Sequence, residues 1–234
     1  MFSRFFARSA PRIPPPGKAS SFHVWWEAPG SAVEVAVTLE VLRRPQVDEL
    51  FFWALQVSFD GGGSHIGLQH HPGYPANSSV NWGGYDASGT ILDGSESVLP
   101  SALGNRNTRT YAWREGAPYR LVVSRGDDGW DGTIIDLERD QATLVRTLFA
   151  PPGSLRSPVV WSEVFAACEE ADGEVCWSDF TVVDSSGERR TINSGKLTYQ
   201  RNGCSNTDSR PDAGGVLQST GVTRTRFEGE TITW

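Results

Sequence analysis

The sequence lacks any apolar run long enough to cross a membrane as a helix, so no membrane span is predicted. A clear secretory signal is also missing, because the apolar stretch at Phe5-Phe6-Ala7 is interrupted at once by Arg8. Two localisations stay open: the protein is cytoplasmic, or it is secreted and its start is mis-assigned or its leader has been removed.

Cysteine is scarce, with three residues in 234, and no Cys-x-x-Cys pair is present. This excludes a zinc ribbon and predicts no metal held by cysteine pairs. Cys168 and Cys176 flank an acidic turn and could form a disulfide across a hairpin, with Cys204 left over. Three free thiols are the alternative.

Basic residues are too few to offset the acidic ones, and the formal net charge is -7. An acidic protein is repelled by the phosphate backbone, so no nucleic-acid partner is expected. Residues 1–21 differ, since the first twenty hold four basic residues and no acid, and prolines cluster at 11–16. We expect 1–21 to be an unpacked tail or leader and 22–234 to be one domain.

A sustained apolar stripe at helical spacing is absent, and the one weak helix candidate spans residues 47–52. Short runs of alternating polarity dominate instead. The sequence therefore predicts an all-β fold, a two-sheet antiparallel sandwich of the jelly-roll or concanavalin A-like kind. The predicted core residues are Phe51, Trp53, Leu55, Val57, Ile66, Leu68, Leu121 and Val123.

Polar side chains alternate with the core residues of two neighbouring strands. If Ile66 and Leu68 face the core, then His65, Gln69 and His71 face away from it, together with Gln56. These four residues predict a ligand-binding face, and a solvated strand face is the alternative. His65 and His71 are about 20 Å apart along a strand, so they cannot share one metal ion.

The Gly-rich segment 72–94 carries Trp82, Tyr85 and Asp86 among polar residues. Sugar rings stack on aromatic side chains, and carboxylates bond sugar hydroxyls, so these residues indicate a possible glycan site. The alternative is that Trp82 and Tyr85 only cover the edge of a sheet.

Three carboxylates are candidates for catalysis. Asp136 and Glu138 alternate along one segment, as the acids of sandwich-fold glucanases do, but with the residue types interchanged. A solvated hairpin tip is the alternative, and the sequence favours it. Glu163 lies among aromatic residues that favour partial burial, and an arginine (Arg106, Arg109 or Arg120) could be its structural partner. No cofactor is required by these patterns, although the acidic segment 127–131 could take calcium or form a charged turn.

Four short motifs occur in order: Gly67-x-Gln69, Trp113-x-x-Gly116-x-x-Tyr119, Ser162-Glu163-Val164-Phe165 and Trp177-Ser178-Asp179. Together they resemble a family of uncharacterised, mostly bacterial domains of unknown function, across roughly residues 50–180. The sequence departs from that family's pattern where Ser64-His65 replace a Gly-Tyr pair. The resemblance implies a concanavalin A-type sandwich that accompanies carbohydrate-active modules, and it supplies no catalytic residues.

Three functional hypotheses follow from the sequence. The first is a non-catalytic module that binds a carbohydrate or another polar ligand. The second is a sandwich-fold glycoside hydrolase or polysaccharide lyase that uses Glu163 or the Asp136/Glu138 pair. The third is a structural or protein-interaction domain. Ligand identity and oligomeric state are not determined by the sequence.

Overall fold

The fold is described from a computed structural model, which covers residues 20–151 and 153–234. Residues 1–19, most of the predicted tail, lie outside the described residues. Seventeen strands and one short 3-10 turn (Pro75–Asn77) make up the described secondary structure. The strands are β1 (Ser20–Trp26), β2 (Glu34–Arg43), β3 (Phe51–Phe59), β4 (Gly62–His70), β5 (Ser78–Asp86), β6 (Ser101–Ala102), β7 (Asn105–Thr110), β8 (Pro118–Arg125), β9 (Gly129–Asp136), β10 (Gln141–Phe149), β11 (Arg156–Val164), β12 (Glu174–Val183), β13 (Arg189–Thr191), β14 (Ser194–Tyr199), β15 (Thr207–Asp212), β16 (Gly215–Thr220) and β17 (Thr231–Thr233).

The strands form two antiparallel sheets. One sheet has nine strands in the order β17-β14-β1-β11-β3-β4-β5-β7-β6. The other has the order β10-β9-β8-β2-β12-β16-β15, with β13 paired to β12. The predicted all-β, two-sheet antiparallel sandwich is thus confirmed, whereas its jelly-roll or concanavalin A-like subtype stays a prediction. No helix among the described residues is long and apolar enough to cross a membrane.

The core lies between the two sheets and follows the two-residue period of the strands. All eight predicted core residues are almost completely buried there. The predicted helix at 47–52 is wrong, because Phe51 already begins β3 and pairs with β4 and β11. The β-branched and aromatic residues that follow favour this pairing over a helix.

One disulfide joins Cys168, just after β11, to Cys204, between β14 and β15. Both alternatives left open by the sequence, a Cys168–Cys176 disulfide and three free thiols, are therefore wrong. Cys176 lies within β12, where it pairs with Glu40 of β2 and Leu217 of β16, so it does not face Cys168 across a hairpin. Cys176 is a free thiol, and burial raises its pKa to about 11.

Candidate functional site

The nine-stranded sheet has a second, smaller cluster of buried residues on the face that points away from the core. We call this the outer face. Its apolar cluster contains Phe52, Ala54, Val159 and Trp161, which alternate along β3 and β11 with residues of the main core. A buried apolar cluster on the side opposite the core needs a reason beyond folding of the sandwich, and it directs attention to the polar groups around it.

Strand register aligns the polar groups of the outer face in one line across the sheet, which we call the site row. Glu163 of β11 pairs with Phe52 of β3, and Phe52 pairs with Gln69 of β4. The row consists of Ser21, Glu163, Phe52, Gln69, Ser79 and Thr110. Because Glu163 and Gln69 are two strand spacings apart, their Cα atoms are separated by about 10 Å.

Glu163 is the carboxylate of the site row. Burial raises the pKa of Glu163 above its ordinary value, because the charged form loses hydration. Among the described residues it has no ion pair within 4.0 Å, so the predicted arginine partner is wrong. Arg106 pairs with Asp93 at 2.7 Å, and Arg120 donates to the carbonyl oxygen of Asp179 at 2.8 Å. A carboxyl with a raised pKa and no counter-ion is a candidate for accepting and releasing a proton in a reaction.

Gln69 is the amide of the site row, and its oxygen is already bound. Gln69 Oε1 accepts hydrogen bonds from the Tyr74 hydroxyl at 3.2 Å and from Ser79 Oγ at 3.1 Å. All three side chains are buried. The indole of Trp113 also donates to the Gln69 backbone carbonyl at 2.9 Å, which fixes the main chain here. The Gln69 amide nitrogen has no hydrogen bond to a described residue and remains as a donor for a ligand.

Aromatic rings cover the floor beside the site row. The ring of Phe52 meets Trp161 edge-on with centroids 4.8 Å apart, and it meets His65 at 5.5 Å. His65 and Trp161 are 6.0 Å apart, so the three rings pack around Ala54. Burial among these rings lowers the pKa of His65 to about 4, and His65 is therefore neutral near pH 7. This apolar surrounding also explains why the carboxyl of Glu163 is poorly hydrated.

The predicted polar face is present in part. Gln56 pairs with His65, and both point to the outer face with Gln69, as the strand period predicts. His71 follows the end of β4 and serves the local turn instead, since its Nδ1 accepts the Gly73 N–H at 2.9 Å. The structure therefore brings three of the four residues together on one face.

The aromatic and acidic residues of segment 72–94 do not form one site. The predicted role of Trp82 as a ring that stacks on a sugar is wrong. Trp82 pairs with Ile66 and is fully buried in the core, where Gly132 leaves room for its indole. Tyr85 is 40% exposed near the end of β5. Asp86 forms the adjacent turn, with its Oδ1 accepting the Ser88 N–H at 2.8 Å.

Asp136 and Glu138 are held in an ion-pair network at the β9–β10 hairpin and not beside Glu163. Arg114 binds Asp136 Oδ2 at 2.9 Å and Glu138 Oε2 at 2.7 Å. The Arg114 hydrogen bond holds the pKa of the Asp136 carboxyl below its usual range. A glycosidase acid needs a raised pKa, so this pair does not fit the predicted catalytic role.

The acidic segment 127–131 also has a structural role. Its residues 127 and 128 lie in the turn between β8 and β9, where the Gly126 N–H donates to the Gly129 carbonyl at 2.9 Å, and its residues 129–131 begin β9. Within the described ranges, no group of three or more His, Cys, Asp or Glu residues is arranged to hold a metal ion. The possible calcium site has no support from this geometry.

Comparison with known proteins gives one kind of match, at the level of the fold. No family model matches the chain, and no curated protein matches it, so the resemblance to uncharacterised bacterial domains stays a prediction. Solved structures of scytalido-glutamic peptidase bound to transition-state analogues are similar to this chain, with TM-scores of 0.54 and 0.53 at 12% and 15% identity. SCP-B, a member of the eqolisin family of peptidases in complex with the tripeptide Ala-Ile-His, has a TM-score of 0.53 at 13% identity. Each match covers 86% of this chain and 98% of the other.

The hypothesis of a non-catalytic carbohydrate-binding module is wrong in the light of these findings. The three solved structures named above, each matched over 98% of its length, are of peptidases. The alternatives of a glycan hydrolase or lyase and of an interaction domain have no support either. Two of the residues meant to carry the glycan hypotheses do not fit those roles, because the ring of Trp82 is in the core and Asp136 is ion-paired.

Proposed function

We propose that this protein is a peptidase whose active site is the site row on the outer face, with Glu163 and Gln69 as its catalytic residues. The observation that carries the proposal is the alignment, in one register, of a poorly hydrated carboxyl and an amide donor. The fold is similar to that of enzymes named glutamic peptidases, which supports assigning the reacting acid to a glutamate.

Peptide hydrolysis needs a base for water, a donor for the developing oxyanion and an acid for the leaving amine. The Glu163 carboxylate takes a proton from water, and the resulting hydroxide attacks the scissile carbonyl carbon. The Gln69 N–H donates to the carbonyl oxygen as it becomes negatively charged. Glu163 then returns the proton to the amine nitrogen as the C–N bond breaks, so the carboxylate is regenerated.

The half-burial of Glu163 supports both proton transfers. A carboxyl with a raised pKa is a stronger base when ionised and is easier to protonate during the cycle. Exclusion of water by Phe52 and Trp161 strengthens the Gln69 hydrogen bond to the oxyanion, because the local dielectric is low.

A peptide-digestion assay tests the proposal. The purified protein is incubated with a mixture of unstructured peptides from about pH 3 to about pH 7, which spans carboxyl pKa values, and products are identified by mass spectrometry. We expect internal cleavage, a fall of about 10²-fold or more in Glu163→Gln, and a fall of about 10²-fold in Gln69→Ala. Glu40→Gln is the matched control, because Glu40 lies on β2 of the other sheet. Absence of cleavage by the wild type at every pH, or full activity of Glu163→Gln, would refute the proposal.

A further inference from the structure

The hydroxyl groups of Tyr74 and Ser79 are the two partners of the Gln69 side chain, and they come from different parts of the chain. Ser79 lies beside Gln69 on β5, and Tyr74 lies in the connection between β4 and β5. Both hydroxyl oxygens are within 3.2 Å of Gln69 Oε1. We propose that Tyr74 and Ser79 are positioning residues that fix the orientation of the Gln69 amide for the peptidase reaction; this rests on the proposed function.

The chemistry of an amide explains why two donors on one atom matter. A glutamine side chain has one acceptor oxygen and one donor nitrogen, and rotating it by half a turn exchanges them. An oxyanion is stabilised by the N–H group, whereas the amide oxygen would repel it. Two hydroxyl donors on Oε1 favour the orientation that leaves the N–H groups for substrate. Because Ser79 is on the side of Gln69 opposite Phe52, Oε1 is held away from the half of the row that contains Glu163.

The connection that carries Tyr74 is itself well anchored. The Tyr74 N–H donates to the His71 carbonyl at 3.0 Å, and the Asn77 N–H donates to the Tyr74 carbonyl at 2.9 Å. The Tyr74 ring belongs to a buried cluster with Leu50 and Ala102, against which Phe165 packs. Phe165 is two residues beyond Glu163. The cluster therefore links the β4–β5 connection, which orients Gln69, to the segment that follows Glu163. Burial raises the pKa of Tyr74, which keeps its hydroxyl protonated as a donor.

The test measures kcat and KM for a cleaved peptide in Tyr74→Phe and Ser79→Ala. We expect each variant to lower kcat about fivefold to tenfold, the effect of one hydrogen bond, with KM within about twofold. Ser78→Ala is the matched control for Ser79→Ala. Ser78 is the preceding residue on β5 and is equally buried, but its Oγ has no hydrogen-bond partner among the residues that the structure describes. It pairs with His70 rather than Gln69. This control should leave kcat unchanged.

The same substitutions in a Gln69→Ala background separate positioning from a structural role. If Tyr74 and Ser79 act only through the Gln69 amide, they have no further effect on kcat once that amide is gone. An equal fall in both backgrounds would overturn the inference, and so would an unchanged kcat in both single variants. If Ser79→Ala does not fold, as judged by its melting curve, Tyr74→Phe carries the same test. Lack of hydrolysis by the wild type would refute the proposed function itself, whereas active but unaffected variants refute only the positioning roles.

Discussion

Replacing Gln218 with leucine should destabilise the fold, because this side chain cross-links the two sheets behind the site row. Gln218 lies on β16 and is 1% exposed. Its Oε1 accepts from Ser162 Oγ at 2.8 Å and from Trp177 Nε1 at 2.9 Å. Its Nε2 donates to the Phe22 carbonyl and to Ser209 Oγ, both at 3.1 Å. All four hydrogen-bonding positions of the amide are therefore occupied inside the core.

The expected cost follows from these four hydrogen bonds. At about 1 kcal/mol each, their loss amounts to about 4 kcal/mol. The added apolar burial of leucine returns about 1–2 kcal/mol, so the net loss in free energy of unfolding is about 2–3 kcal/mol. For a chain of this size, that corresponds to a fall in Tm of about 5–10 °C.

Denaturant unfolding and thermal melting measure this loss directly. Gln141→Leu is the matched control, because Gln141 is exposed at the start of β10, and its replacement should change the free energy of unfolding by less than about 0.5 kcal/mol. A Gln218→Leu variant as stable as the wild type would refute the reasoning. It would mean that the two sheets are not joined through this amide.

Three further predictions concern the disulfide, the histidine packed among aromatic rings and the Arg114–Asp136 ion pair. Cys168→Ser should lower the free energy of unfolding by about 4 kcal/mol, because it removes the cross-link to Cys204 that closes a loop in the unfolded chain. Cys176→Ser should have little effect, and denaturant titration of both variants measures the difference. NMR titration should give a pKa of about 4 for His65. Because this is below the value of about 6.5 in the unfolded chain, the free energy of unfolding should fall as pH drops from the higher value to the lower one. The fall should be smaller in His65→Gln. Asp136→Asn should lower stability by about 1–2 kcal/mol, because Arg114 loses a charged hydrogen-bond partner but keeps Glu138. The folded variant should still cleave peptides, and loss of activity would contradict the site assignment.

The fold was predictable because its signal is local. Along β3, residues of the main core alternate with Phe52, Ala54 and Gln56, which face away from it. This two-residue period is enough to predict a strand with one face in the core. The Asp60-Gly61 turn also sets the pairing of β3 with β4, so the alignment of Phe52 with Gln69 could have been found from their equal distances to the turn. These features require no knowledge of distant contacts.

The wrong predictions concern residues whose side-chain direction or bonding partner depends on contacts with residues distant in the sequence. Trp82 lies in a strand with apolar and small residues on both faces, so its direction depends on the pairing of β5 with β4 and on the space left by Gly132. The disulfide depends on where the chain between β14 and β15 returns, 36 residues after Cys168. Sequence spacing suggested only Cys176 as a partner for Cys168, although β12 holds Cys176 elsewhere.

The candidate site has some features that depend on local sequence and others that depend on long-range contacts. Aromatic neighbours correctly indicated that Glu163 would be partly buried. Its position in the site row was not predictable, because β11 enters the sheet between β1 and β3, far from either in sequence. The role of Ser79 depends on the same kind of register, while Tyr74 reaches Gln69 only through the folded connection that follows β4.

The most direct test of the proposed active site compares two pKa values. One is the pKa of the Glu163 carboxyl, measured by NMR titration of the free protein. The other is the pKa on the acidic side of the pH profile of kcat/KM for a cleaved peptide, which reports an essential base of the free enzyme. We predict that the two coincide, above the ordinary value of a glutamate, and that activity falls as pH drops through them. An acidic limb that does not follow the Glu163 titration, or that persists unchanged in Glu163→Gln, would contradict the assignment.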